Sequence, residues 1–262
     1  MKILKKYKVK NKGFSEIFGI HAVTSALKNK KRKHLKLVIS SNQKELLNSL
    51  GQNIKNSIKE IIEISNKDMF KIYGSENNHQ GIILVTSNLI QPDLNDMFHT
   101  SINKKNEIVI MLDHVSDPNN IGSIMRSCVL FNCKTIVVAK DNSPDITPSM
   151  AKSASGALEL INYIKVTNLS RAIDDFKKNN FWVYGLDNNE SNLSDNKNKF
   201  EIPNKCLLIL GAEGKGLRDL TKKHCDGLIS IPINKNSELN IESLNVSNAC
   251  SIALYEHFIN NN

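Results

Sequence analysis

The stretch EIVIMLDHVSDPNNIGSIMRSC, residues 107–128, contains a strand that is followed directly by a helix. Its first part, EIVIML, is almost entirely apolar, which is typical of a strand buried on both faces of a parallel sheet. The apolar positions of its second part have the i, i+3, i+4, i+7 spacing of an amphipathic helix: Ile121, Ile124, Met125 and Cys128. Asp117 and Pro118 suit the N-cap and first turn. The stretch predicts one strand–helix unit of an α/β domain.

The same alternation continues through the C-terminal part of the chain. Short apolar segments are separated by helical segments: TIVVA at 135–139, FWVYGL at 181–186, CLLIL at 206–210 and LISIP at 228–232. Residues 14–86 alternate in a smaller α/β pattern, with a helix predicted near 17–27. We therefore predict an α/β protein in four parts: a basic tail (1–13), a small N-terminal domain (14–87), a linker (88–106) and a parallel-sheet domain (107–262).

The positive charge is concentrated in the N-terminal part of the chain. Residues 1–100 contain 17 Lys or Arg against 8 Asp or Glu, whereas residues 101–262 contain 18 against 18. This asymmetry predicts a polyanion-binding N-terminal module, and nucleic acid is the commonest such polyanion. A solvated lysine-rich face stays open as the alternative, because six of these lysines lie in the tail MKILKKYKVKNKG.

Several classes of protein are disfavoured by composition. No apolar run approaches the roughly 18 residues of a membrane-spanning helix, and the N-terminus lacks the apolar region of a secretory signal. The five cysteines have no C-x-x-C spacing and are odd in number, which argues against a metal site and a disulfide framework. These features predict a cytoplasmic protein with no membrane or metal partner.

The glycine-rich segment GAEGKG, residues 211–216, does not match two common nucleotide-binding motifs. Its G-x-x-G-x-G spacing differs from the G-x-G-x-x-G fingerprint of dinucleotide-binding proteins. Leu217 and Arg218 stand where a P-loop would have its Lys and its hydroxyl residue. We therefore do not expect a nicotinamide cofactor or an NTPase.

Three polar segments follow strands, where open α/β sheets bind their ligands: LDHVSDPNNIGSIMRS (112–127), LILGAEGKGL (208–217) and SLNVSNA (243–249). Each has an ordinary structural explanation when it is taken alone. Arg126 suits a solvated helical charge, and Asn120 a turn residue. Glu213 suits a first helical turn, and Ser243 or Asn245 a helix cap.

Taken together, the three segments resemble a known family. DPNNIGSIMR, LGAEGKGL and IPI…SLNVSNA look like motifs 1, 2 and 3 of the SPOUT RNA methyltransferases, in the TrmH-type branch that methylates ribose 2′-hydroxyls. FGIHAV (18–23) and HQGI (79–82) resemble signatures of the family's N-terminal RNA-binding domain. VTNLSRAI and LTKKHCDGLISIP resemble the bacterial large-subunit ribosomal RNA guanosine 2′-O-methyltransferases.

The resemblance implies a fold, a cofactor and partners. The family binds S-adenosylmethionine in a deep trefoil knot and acts as a homodimer, a topology that parallel-sheet rules alone would exclude. The implied cofactor-binding residues are Gly211, Ile231 and Leu244, largely through backbone atoms. The implied substrate is a ribose, in guanosine, of large-subunit ribosomal RNA.

The implied catalytic residues are Asn120, Arg126, Glu213, Ser243 and Asn245. Arg126 is the family's proposed proton acceptor, but a guanidinium holds its proton strongly, so we favour charge stabilisation and phosphate anchoring. The other four residues would orient Arg126, the ribose and the cofactor loop. One departure is the segment 233–242, INKNSELNIE, which is longer than the family's compact loop. A transfer RNA ribose methyltransferase and a non-catalytic ribosomal-RNA-binding assembly protein stay open as alternatives.

Overall fold

A computed structural model describes residues 13–74, 79–187, 201–233 and 243–261. They form two compact units, one of residues up to Ile90 with Ile146–Glu159, the other of Gln91–Asp145 with residues from Leu160 onward. The predicted basic tail, apart from Gly13, and residues 234–242 of the long loop lie outside the described residues.

The strands are β1 Phe14–Phe18, β2 His34–Ser40, β3 Ile58–Ile64, β4 Ile82–Ser87, β5 Glu107–Asp113, β6 Thr135–Ala139, β7 Asn162–Val166, β8 Trp182–Leu186, β9 Lys205–Gly211 and β10 Gly227–Ile229. The α-helices are α1 Ile20–Lys28, α2 Lys44–Ser49, α3 Gln52–Ser57, α4 Asn66–Tyr73, α5 Leu94–Ser101, α6 Pro118–Leu130, α7 Pro148–Ser153, α8 Leu169–Lys178, α9 Asp219–His224 and α10 Val246–Asn261. Short 3₁₀ turns occupy Ser41–Gln43 and Ala157–Glu159.

The first unit is built on a four-stranded sheet of order β1-β4-β2-β3, in which only the β2–β3 pair is parallel. The sequence predicted a helix near 17–27, but Phe14–Phe18 is a strand and the helix begins at Ile20. Gly19 separates the two with a φ of 92°, a conformation that only glycine adopts readily. Phe18 then packs in a small core with α4.

Residues 146–159 return to the first unit from within the C-terminal half of the chain. Helix α7 packs against β1, and the turn Ala157–Glu159 packs against α1. The Glu159 carboxylate accepts two hydrogen bonds from Arg32, from Nε and Nη2, both at 2.8 Å. Both side chains are almost fully buried, so this ion pair fixes the returning segment. From the sequence we assigned these residues to the C-terminal domain. Hydrophobic patterns carry no information on such distant contacts, so they could not reveal the return to the first unit.

The second unit contains the predicted parallel sheet, with six strands in the order β10-β8-β9-β5-β6-β7. Every pair of neighbouring strands is parallel. The chain passes outward from β5 through β6 to β7, then crosses to β8 on the other side of β5. The strand order therefore reverses between β5 and β9, and the loops that follow these two strands meet at the carboxyl edge of the sheet, where such folds bind ligands.

Helix α5 lies in the segment 88–106 that the sequence predicted to be an irregular linker. Asp93 and Asp96 form a reciprocal capping box that begins the helix. Its residues Met97 and Phe98 belong to the core of the second unit. This short helix contributes too few turns to show a clear hydrophobic period. Within the described residues, no helix is both long and apolar enough to cross a bilayer.

Candidate active site

The buried carboxylate of Asp113 organises the carboxyl end of β5. It accepts hydrogen bonds from Arg218 Nε at 2.8 Å and from Thr221 Oγ1 at 2.6 Å, and His114 Nδ1 lies 2.8 Å away. Arg218 and Thr221 belong to the start of α9, which follows the glycine-rich loop. Asp113 thereby ties the loop after β9 to the end of β5. We did not identify it from the sequence; the signal was a single acidic residue at the end of an otherwise apolar strand.

Helix α6 begins as the sequence predicted. The Asp117 carboxylate accepts from the backbone N–H groups of Asn119 at 3.1 Å and Asn120 at 3.3 Å, and Pro118 occupies the first turn. This cap satisfies N–H groups that have no partner within the helix. It also holds Asn120 in the first turn, with its side chain free to reach across the edge of the sheet.

The glycine-rich loop after β9 folds tightly back on itself. The Gly216 N–H donates to the Ala212 carbonyl at 2.8 Å, and Gly214 and Gly216 have positive φ angles of 77° and 64°. A side chain at Gly211 would collide with the backbone of Gly216. The glycines are therefore needed for the turn itself, and the turn presents Glu213 to solvent at the carboxyl edge.

Three side chains from the three motifs meet at this edge, and we call them the polar triad: Asn120, Glu213 and Asn245. Glu213 Oε1 accepts from Asn120 Nδ2 at 3.0 Å and from Asn245 Nδ2 at 2.5 Å. Asn245 Nδ2 also lies 3.2 Å from Asn120 Oδ1. One carboxylate oxygen thus joins motif 1 to motif 3; Glu213 and Asn245 are exposed, and Asn120 is half-buried.

Asn245 is held by its own helix. Its Oδ1 accepts from the Ser247 backbone N–H at 2.9 Å and from Ser247 Oγ at 2.6 Å, so Asn245 caps α10. Ser251 Oγ donates to the Ser247 carbonyl at 2.8 Å and lies 2.7 Å from Ser127 Oγ on α6. Ser247, to which the sequence assigned no role, therefore positions Asn245 and helps to fix α10 against α6.

Arg126 and Ser243 do not join the polar triad. Both are exposed, and neither side chain has a hydrogen-bond partner among the described residues. Arg126 lies six residues beyond Asn120 on α6, which separates them by roughly 9 Å along the helix axis. The Arg126 guanidinium is therefore available to a ligand or to a second chain.

The three residues implied in cofactor binding lie along the same edge. Gly211 ends β9, Ile231 follows β10 and is buried, and Leu244 directly precedes Asn245 and is half-buried. Strand β8 separates β9 from β10, so Gly211 and Ile231 lie about two strand spacings apart, roughly 10 Å. The end of β8, Leu186 followed by the buried Asp187, lies between them.

All five cysteines lie among the described residues, and four of them are buried. All five are free thiols, and burial raises the pKa of Cys128, with the neighbouring Cys133 and Cys250 adding to the rise. Burial likewise raises the pKa of Cys225 to about 12. The raised pKa values keep the thiols of Cys128 and Cys225 protonated at neutral pH. In the described part of the chain, no group of three or more His, Cys, Asp or Glu side chains is placed to hold a metal ion.

Two family models match the chain. The SpoU rRNA Methylase family matches residues 107–255, and the family described as RNA 2′-O ribose methyltransferase substrate binding matches residues 17–92. Among curated proteins, the 23S rRNA (guanosine-2′-O-)-methyltransferase RlmB of Coxiella burnetii is 35% identical, over 92% of this chain and 93% of that protein. RlmB of Haemophilus influenzae is 32% identical, over 92% and 96%.

Solved structures show the same fold at lower identity. The SpoU methyltransferase AviRb from Streptomyces viridochromogenes, in complex with AdoMet, has a TM-score of 0.71 at 21% identity and covers 95% of this chain and 90% of that one. The AdoMet-bound rRNA methyltransferase from Sinorhizobium meliloti has a TM-score of 0.69 at 19% identity, with 95% and 88% covered. The first family model spans more than half of the chain, and the curated relatives span nearly all of it. The chain therefore belongs to the SpoU rRNA methylase family.

Proposed function

We propose that this protein transfers a methyl group from S-adenosylmethionine to the ribose 2′-hydroxyl of a guanosine in large-subunit ribosomal RNA. The observation that carries the proposal is the polar triad, which joins all three motifs at the ligand-binding edge of the sheet. Relatives over 30% identical along 92% of the chain are named 23S rRNA (guanosine-2′-O-)-methyltransferases. The excess of basic residues before position 100 suits an RNA substrate.

S-adenosylmethionine would be held by Gly211, Ile231 and Leu244. Backbone groups at the two strand ends can bind its polar atoms, and the buried Ile231 side chain can pack against its adenine ring. When bound, it supplies a methyl group on a positively charged sulfur. No carboxylate pair is needed to hold it, which is consistent with a site marked by glycine and aliphatic residues.

The residues of the site act on the attacking hydroxyl. Holding two reactants in line can lower the barrier by roughly 7–11 kcal/mol, whereas a general base typically adds about 10²- to 10⁴-fold in rate. Positioning is therefore the larger contribution. We assign it to the polar triad, with Ser243 at the mouth of the same site, because these groups offer hydrogen bonds that can orient the hydroxyl.

We assign to Arg126 the stabilisation of the negative charge that develops during methyl transfer. A guanidinium donates through five N–H groups and accepts no hydrogen bond. Arg126 would bind the phosphate beside the target ribose and stabilise the negative charge that forms on the oxygen. It could accept the proton only with help from that phosphate.

A homodimer explains why Arg126 is remote from the triad. Large apolar side chains are exposed on α6 and α10: Leu130, Ile252, Tyr255 and Ile259. An exposed apolar surface formed by two neighbouring helices is typical of a protein interface. We propose that a second copy covers it and that Arg126 completes the partner's site.

The trefoil knot stays a prediction, because residues 234–242 lie outside the described residues. Action in the cytoplasm, on ribosomal RNA, is part of the same proposal.

The test is methyl transfer by the purified protein from labelled S-adenosylmethionine to unmodified large-subunit RNA. Arg126→Ala should abolish transfer while RNA binding and cofactor binding, measured by filter binding and calorimetry, stay close to those of the wild type. Arg171→Ala is the matched control, because Arg171 is another exposed helical arginine of the second unit. Unchanged transfer by Arg126→Ala would refute the role of this residue.

Mapping ribose methylation in cells with and without the gene identifies the substrate. A methyl group lost from large-subunit ribosomal RNA supports the proposal, and one lost from transfer RNA replaces it with the tRNA alternative. Absence of cofactor binding by calorimetry would favour a non-catalytic assembly protein.

A further inference from the structure

The signatures FGIHAV and HQGI meet in the first unit, far along the chain from the polar triad. The Ile20 backbone N–H donates to Gln80 Oε1 at 3.0 Å, so one motif is hydrogen-bonded to the other. Gln80 has a φ of 54°, which is uncommon for a residue other than glycine. Uncommon backbone conformations of this kind concentrate at binding sites.

A cavity of about 440 Å³ lies beside this junction. Its size falls within the roughly 300–1,000 Å³ of small-molecule sites. Most of its polar lining consists of side-chain amides, from Asn42, Gln43, Asn66 and Gln80. No carboxylate, lysine or arginine is among the described residues that line it. The cavity therefore suits a neutral polar ligand better than a phosphate or a carboxylate.

His79 lines this cavity and carries a buried ring nitrogen without a partner in the described part of the chain. Its ring is 1% exposed, and its Nδ1 accepts from the Gly81 backbone N–H at 3.0 Å. Burial lowers the pKa of His79, so the ring is neutral at pH 7 and its proton resides on Nε2. Within the described residues, Nε2 has no hydrogen-bond partner. A buried N–H without a partner is costly to the fold and calls for an acceptor from outside.

Ser40 supplies a second unpaired group. It ends β2, is fully buried, and its backbone N–H donates to the Gly81 carbonyl at 2.8 Å. Ser40 lines the cavity, and its hydroxyl, which is itself buried, has no partner among the residues that the structure describes. The residues of the cavity wall thus carry one fixed donor and one hydroxyl that can donate or accept, both unpaired within the described residues, a combination suited to the edge of a heterocycle.

Phe70 provides a flat face at the rim. Its side chain is 48% exposed, and its ring centroid lies 5.0 Å from that of His79. Unpaired bases stack on such exposed aromatic rings in RNA-binding proteins. Lys67 and Lys71, on the same helix, are also exposed and can bind the phosphates on either side of a stacked base.

We infer that this cavity receives an unpaired nucleobase of the RNA substrate. Phe70 stacks on the base, while His79 Nε2–H donates to an acceptor on its edge and the Ser40 hydroxyl pairs with a neighbouring group. This inference rests on the proposed function, because it takes RNA as the substrate. It adds a recognition site separate from the polar triad, in the unit that lacks the methyl-transfer residues.

The test uses the full chain and an unmodified transcript of large-subunit ribosomal RNA. Phe70→Ala and Phe70→Leu should raise both the RNA Kd and the KM for transfer about 5- to 150-fold, the range expected for loss of one stacked base. The kcat and the cofactor Kd should stay within about twofold, whereas Phe70→Tyr should retain wild-type values. Ile90→Ala is the matched control, because Ile90 is 98% exposed in the same unit but does not line the cavity.

Photocrosslinking gives an independent readout that does not require activity. A transcript substituted with 4-thiouridine should crosslink to the peptide that contains Phe70, and Phe70→Leu should lose that crosslink. Wild-type RNA Kd and KM in both Phe70→Ala and Phe70→Leu, with an active parent enzyme, would overturn the base pocket and leave the proposed function standing. RNA binding that depends on Phe70, in a protein that transfers no methyl group, would support the base pocket and overturn the proposed function.

Discussion

Glu213 shows how little a single residue reveals before the fold is known. In the sequence it is an acidic residue in a glycine-rich turn, and only the resemblance of three motifs assigned it to a site. The structure brings it to Asn120, 93 residues away, and to Asn245, 32 residues away. Such long-range convergence at a sheet edge follows from strand order, which local patterns do not encode.

Replacing Glu213 tests whether the triad needs a charged acceptor. Glu213→Gln keeps the size of the side chain but weakens the acceptor for two amides, since hydrogen bonds to a charged group are stronger by about 1–1.5 kcal/mol. We expect methyl transfer to fall at least about tenfold in kcat/KM, with RNA affinity unchanged. Single-turnover transfer and filter binding measure the two effects.

Asp174→Asn provides the control for loss of a negative charge. Asp174 is a partly exposed carboxylate of the same unit and accepts from His224 Nδ1 at 3.0 Å, outside the triad. Its variant should keep wild-type transfer. If Glu213→Gln also keeps it, the triad does not depend on the charge of Glu213.

At the scale of elements, the sequence predicted α6 and its cap because both signals are local. Asp117 and Pro118 stand directly before an apolar 3.6-residue period, and the structure confirms this helix start. The strand Phe14–Phe18 and the helix Leu94–Ser101 were missed, because short segments contain too few positions to separate one period from another. Strand Asn162–Val166 was missed for the same reason.

The cap of α6 should contribute both to stability and to activity, and the two contributions can be measured separately. Asp117→Ala removes the acceptor for the Asn119 and Asn120 backbone N–H groups and should lower the free energy of unfolding by about 0.5–2 kcal/mol. It should also reduce methyl transfer, because the first turn then no longer holds Asn120 in the triad. Urea unfolding and transfer assays on one preparation measure both.

Asn168→Ala is the matched cap variant. The Asn168 side chain accepts from the Arg171 backbone N–H at 3.0 Å and begins α8, far along the chain from the three motifs. It should lose a similar amount of stability while keeping its methyl-transfer rate. An equal loss of transfer in both variants would mean that the effect of Asp117 is general destabilisation and not the placement of Asn120.

At the scale of the whole molecule, the return of residues 146–159 to the first unit depends on a buried ion pair. Glu159→Ala would leave the Arg32 guanidinium buried without its carboxylate, which typically costs about 3–5 kcal/mol. We expect a marked drop in the midpoint of urea unfolding, measured by circular dichroism. Asp145→Ala, which breaks an exposed pair with Lys165, should cost less than about 1 kcal/mol. Equal effects would show that burial of the Arg32–Glu159 pair contributes nothing.

Buried histidines make the stability of the molecule sensitive to acid. Burial lowers the pKa of His34, His79 and His257 below their ordinary value of 6.5. Between the folded and ordinary pKa values the unfolded chain binds more protons than the folded one, so stability rises with pH in that window. Stability should therefore be constant just above neutrality and should fall as the pH drops below about 6.5.

His257→Gln isolates one contribution to this slope. His257 Nε2 lies 2.9 Å from the Asn204 carbonyl oxygen, and the glutamine amide can donate to the same acceptor without titrating. Between pH 7 and pH 5, the free energy of unfolding should fall less in the variant than in the wild type. Above pH 7, the pH dependence of the two proteins should be nearly the same. Urea unfolding across this range measures the slope. Exposed His21, changed to Gln, is the control and should keep the full slope. If the slope is unchanged in His257→Gln, His257 binds its proton equally in the folded and unfolded chains and contributes nothing to the pH dependence. The acid destabilisation then arises from other groups.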